Sequence, residues 1–87
     1  MRTALSRQQA PLRDEILEIE KEMERKQARR DEIQTLLGDP ANYQTRELIL
    51  PLLAEEPALA RVLKELEARW LQLHTRLEEI EKEVGTG

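Results

Sequence analysis

The residues of this chain that could do chemistry are few and their spacing is poor for it. His74 is the only histidine and there are no cysteines, so neither a thiolate nor a second imidazole is present to complete a metal set or a nucleophile pair. Neighbouring carboxylates such as Glu78 with Glu79 and Glu81 with Glu83 are expected to face water, where nothing tunes them for acid–base work. The three glycines, Gly38, Gly85 and Gly87, make no phosphate-cradling loop, and no Gly-Lys-Ser/Thr sequence occurs. What remains is charge. Lys21, Arg25, Lys26, Arg29 and Arg30 recur along one stretch, with Arg61, Lys64 and Arg69 further on, and such a stripe suits a phosphate backbone. Glu22, Glu24, Asp31, Glu32, Glu65 and Glu67 dilute it. The chain carries a net charge of -4, yet residues 1 to 30 hold eight basic against six acidic side chains, so attraction to a polyanion is a local property of the first arm.

The elements that must position these side chains are written in two ladders. Leu12, Ile16, Ile19, Met23, Lys26, Arg30, Ile33 and Leu37 recur at alternating steps of four and three, and Leu59, Leu63, Leu66, Trp70, Leu73, Leu77, Ile80 and Val84 do the same. Fourteen of these 16 positions are apolar in a chain that is 39% hydrophobic, which is the signature of two heptad seams. Folding the chain back on itself lets rungs whose numbers sum to 96 face each other, among them Ile16 with Ile80, Ile19 with Leu77, Lys26 with Trp70, Ile33 with Leu63 and Leu37 with Leu59. The expected fold is all-α: a two-helix antiparallel coiled-coil hairpin with a short helical or irregular tip segment. The absence of Phe, the single Trp and Tyr and the 37% of charged residues suit a narrow seam better than a rounded core.

Along the chain, residues 1–10 read as a polar lead-in, with Ser6 to Gln9 in the form of a capping box. The hairpin occupies 11–84, divided into a helix over 11–37, a tip over 38–57 and a helix over 58–84, with 85–87 as a tail. Pro11 and Pro57 suit first helical turns, Gly38 can take a left-handed conformation where the first helix stops, and Pro40 and Pro51 interrupt. Thr45 is placed to cap a short helical piece. The tip run Leu48, Ile49, Leu50, Leu52, Leu53 has two readings: it folds with Tyr43 over the open end of the seam, or it offers a patch to a partner. Lys26 and Arg30 also have two. Their stems lie along the seam with the charges at its edge, Lys26 resting over the Trp70 indole, or they belong to the basic stripe. Leu17 and Leu71 lie one position off the ladders and are either ordinary surface leucines or part of a docking or dimerising face. No apolar run is long enough to span a membrane and the first 15 residues lack a signal-peptide core, so the expectation is a soluble cytoplasmic protein.

Several of these stretches resemble the C-terminal coiled-coil extension of ABC-F ATPases of the Uup type. They are Leu5-Ser6-Arg7-Gln8-Gln9, the arm reading Ile16-Leu17-Glu18-Ile19-Glu20-Lys21-Glu22, the turn Asp39-Pro40-Ala41-Asn42-Tyr43, and Arg69-Trp70 followed by Leu73. The likeness spans nearly the whole chain. It implies a non-catalytic arm of a larger protein whose two ATP-binding cassettes lie outside this chain, with no cofactor of its own, contacting DNA or ribosomal RNA through phosphates. The partners so implied are nucleic acid or the ribosome and the cassettes of the parent chain. The alternative is a protein-docking arm or weak homodimer using the exposed leucines.

Overall fold

A computed structural model describes the backbone of residues 2–86 and the side chains of residues 7–83. Two long helices, α1 (Arg2–Leu37) and α2 (Arg46–Thr86), run antiparallel and are joined by a tight link containing one 3-10 turn, Pro40–Gln44. No strand occurs among the described residues. The result is an all-α helical hairpin in the form of a rod, 64 × 15 × 14 Å. Ser6 of the expected capping box and Val84 of the last rung lie outside the described side chains.

The link is built from short polar side chains that replace the helical hydrogen bonds lost at its two ends. Asp39 caps the 3-10 turn, its carboxylate accepting from the Ala41 amide at 3.0 Å, while the Asn42 side-chain amide donates to the Leu36 carbonyl at 2.8 Å and so satisfies one of the orphan acceptors of α1. The Gly38 amide reaches the Gln34 carbonyl at 3.0 Å. Gly38 does this without a left-handed backbone, contrary to expectation: no described glycine has positive φ. A Cβ there would still approach the Gln34 carbonyl oxygen to 3.3 Å, a tight fit. Thr45 sits in the N-cap position of α2 with an extended backbone (φ -113, ψ 96), and its carbonyl accepts from Leu48 and Ile49.

Helix boundaries differ from those expected. α1 continues back through Pro11 to Arg2, and α2 begins at Arg46 and passes through both Pro51 and Pro57. All three prolines are exposed. The carbonyls they leave without a donor, those of Arg7, Glu47 and Leu53, belong to exposed residues where water can serve them, which is why the helices survive. The tip is therefore residues 38–45, and what was expected as tip from 46 onward is the first three turns of α2.

This shorter link resets the register. Among side chains that bridge the arms, Gln8 with Arg76, Glu15 with Arg69 and Arg29 with Glu55 have numbers summing to 84, and Arg13 with Glu81 to 94. The two sets lie on opposite flanks of the seam and centre it on a sum of 89, one heptad short of the expected 96. Leu12 then faces Leu77, Ile16 faces Leu73 and Ile19 faces Trp70, and these six pack as one cluster. Towards the tip Leu37 faces Leu52, in a second cluster with Ile33, Leu36 and Leu59. The described ladder residues are buried or half-buried as their periodicity requires, Ile33 and Ile80 completely, and full burial of such an apolar side chain contributes roughly 1.5–3 kcal/mol. Only their partners have changed.

Candidate functional site

The five cations expected to meet phosphate all lie on the middle of α1, and each is already engaged by a carboxylate. Lys21 Nζ is 3.5 Å from Glu18, Arg25 Nη2 is 2.7 Å from Glu22, and Lys26 Nζ is 3.2 Å from the other Glu22 oxygen. These three pairs lie within α1, at spacings of three or four residues, where helical geometry brings side chains together and water screens much of their attraction. Arg29 and Arg30 behave differently. The Arg29 guanidinium holds the two oxygens of Glu55 at 2.7 and 3.0 Å and also reaches Glu32 at 2.8 Å, while Arg30 meets Glu56 at 2.8 Å. Both are half-buried and tie α1 to α2.

Electrostatics follow from these contacts. Hydrogen bonding from Arg25, then from Lys26, holds the Glu22 carboxyl below its ordinary value, and Glu22 in turn raises Arg25. Hydrogen bonding from Arg29 lowers Glu55 and Glu55 raises Arg29. The stripe is thus a row of neutralised charges rather than a bare cationic surface. Of the other cations expected opposite it, Arg69 pairs with Glu15 at 2.9 Å, whereas Arg61 and Lys64 take part in no ion pair among the described residues.

Glu55 and Glu56 are the residues that sequence reasoning missed. Their signal was available: an adjacent pair of acids 26 positions beyond an adjacent pair of arginines. Reading 38–57 as tip placed them outside the seam. The same displacement separates Lys26 from Trp70. Lys26 turns to Glu22, and the Trp70 ring packs against His74 instead, centroids 4.1 Å apart at 50°. Among the described residues no three His, Cys, Asp or Glu side chains gather as a metal set.

The apolar run at the start of α2 divides between its two readings. Ile49 and Leu52 turn inward and are buried, Leu52 within the tip cluster; Leu48, Leu50 and Leu53 point outward, as does Tyr43 in the link. Leu17 and Leu71 are each about half exposed. No helix is long and apolar enough to cross a membrane. Compared with known proteins, the chain matches no family profile, no curated protein and no solved structure.

Proposed function

We propose that this chain is a non-catalytic helical arm of the ABC-F type, which extends from a larger cytoplasmic ATP-binding protein to touch nucleic acid or ribosomal RNA through phosphates. The observation that carries the reading is the place of the Asp39-Pro40-Ala41-Asn42-Tyr43 turn at the apex of a 64 Å rod, with Arg69-Trp70 on the return helix. That is the arrangement the resemblance implies. Contacts to phosphate would come from the cations whose present partners are cheapest to exchange. Lys21, Arg25 and Lys26 are held only by carboxylates of their own helix, the exposed Glu18 and the half-buried Glu22, so a phosphate can replace them without opening the contact between the arms. Arg29 and Arg30 hold the hairpin shut, and their contribution to binding is limited by that duty.

Titration of labelled duplex DNA and of a structured RNA tests the reading. Binding should weaken steeply as salt rises from about 50 to 200 mM, because counterions are released from each neutralised phosphate. Lys21→Glu with Arg25→Glu should weaken it while leaving the helical circular dichroism and melting temperature near those of the parent chain. Salt-independent binding, or none, overturns the proposal.

A second reading is favoured by the outward face of the tip. Tyr43 (54% exposed), Leu50 (51%) and Leu53 (50%) expose apolar surface near the tip, as Leu17 and Leu71 do along the arms, which suits docking onto a protein or a second hairpin. Sedimentation distinguishes a second hairpin: self-association that Leu50→Ser with Leu53→Ser removes would support it, and a monomer at every concentration would confine the reading to a foreign partner.

A further inference from the structure

The two flanks of the seam are unlike. One is stitched along its length by Gln8 to Arg76, Glu15 to Arg69 and Arg29 to Glu55. On the other, no ion pair among the described residues bridges the arms between Arg13–Glu81 and Arg30–Glu56. Between those two bridges the apolar core is also interrupted. One cluster ends at Ile19 and Trp70 and the next begins at Ile33 and Leu59, leaving Met23 and Leu63 half-buried. A cleft of about 470 Å³ opens there along the rod. Its floor is apolar, made by Met23, Leu63 and Trp70, and its rim carries Glu20, Glu24 and Glu67. None of these three carboxylates takes part in an ion pair among the described residues.

We infer that this cleft is a docking groove for one basic amphipathic helix, supplied by a partner protein. The argument rests on shape and charge together. A straight groove between two helices is the place where a third helix packs ridge into groove, completing a three-helix bundle over a length set by the unstitched flank. Its apolar ridge would cover the exposed edges of Met23, Leu63 and Trp70. Its flanking Lys or Arg side chains would meet Glu20 and Glu24 on one side and Glu67 on the other, three acids that form no ion pair among the described residues. A second copy of the same hairpin fits less well, because apposing this acidic stretch with itself sets like charges together. The acidic part of the groove adjoins the stripe, since Arg30 and Lys64 line its continuation towards the tip, but Lys21, Arg25 and the tip leucines take no part in it.

Trp70 is the only tryptophan and forms part of the floor, so its fluorescence reports on the groove directly. The probe is a synthetic peptide of about 18 residues, roughly 27 Å as a helix, with leucine on one face and lysine on both flanks; a twin carries glutamate in place of lysine. The lysine peptide should give a saturable change in Trp70 emission and the glutamate twin none. Glu24→Lys with Glu67→Lys should weaken binding by about tenfold or more. Glu65→Lys with Glu79→Lys, which changes net charge equally but sits on the other flank, should leave it unaltered, as should Leu50→Ser with Leu53→Ser at the tip. Absence of any Trp70 response overturns the inference. So does equal weakening by the two charge-reversal pairs, which would mark a general attraction, and so does a Trp70 signal that follows the chain's own concentration with a doubling of sedimenting mass, which would mark a second copy in the groove.

Discussion

At the scale of the residue, the decisive contacts are between adjacent arginines and adjacent glutamates. Arg29 lowers the Glu55 carboxyl below the ordinary glutamate value of 4.5. A carboxyl whose value is lower folded than unfolded stabilises the fold above its ordinary value, and that stabilisation fades as pH falls through the folded value. Glu55→Gln should therefore lower the melting temperature most above the ordinary glutamate value and progressively less as pH falls below it, a comparison that thermal melts at several pH values will decide. Arg29→Glu, which sets like charges across the seam, should lower the melting temperature clearly more than Arg25→Glu, which disturbs only its own helix. The identity of the cationic residues was legible in the sequence, and so was the helical spacing that pairs Lys21, Arg25 and Lys26 with Glu18 and Glu22. The engagement of Arg29 and Arg30 was not, because it depends on which heptad of α2 lies opposite, and a misplaced helix start puts Glu55 and Glu56 in a loop.

At the scale of the element, periodicity located the seam and proline misplaced its ends. Every described ladder residue expected to face the partner arm is buried or half-buried, since moving one helix by a whole heptad returns the same stripe to the same side. What periodicity leaves open is the pairing, and disulfide trapping reads pairing directly. Ile16→Cys with Leu73→Cys should oxidise readily to an intramolecular bridge, whereas Ile16→Cys with Ile80→Cys should not; the reverse result would restore the register with rungs summing to 96. In the sequence Pro51 and Pro57 read as boundaries because a helix interior penalises them, and the penalty is still present within α2. Pro57→Ala should accordingly raise stability by about 1–3 kcal/mol, measured by urea denaturation, with no loss of helical signal. A loss of stability would mean that Pro57 fixes the start of an interrupted helix after all.

At the scale of the whole molecule, a compact domain of this length would have a radius of gyration of about 12 Å, against 19.4 Å for the Cα trace of this rod. Small-angle scattering of dilute chain should give a value near the latter, and a value near the former would mean that the arms do not hold an extended hairpin. The elongated shape followed from composition and periodicity before any contact was known; the unlike flanks did not, because they arise from which heptad faces which. One consequence concerns evolution by insertion. Grease spaced every seventh place is a ruler with only coarse marks, so nothing in the stripes themselves tells a neighbour from the next one along. The fine setting is made by the eight positions from Gly38 to Thr45, where Asp39, Asn42 and Thr45 close the bend. Lengthening that bend by a few residues should merely bulge it, while lengthening it by seven would offer the arms a second, equally greasy alignment in which Arg29 and Arg30 lose their acids.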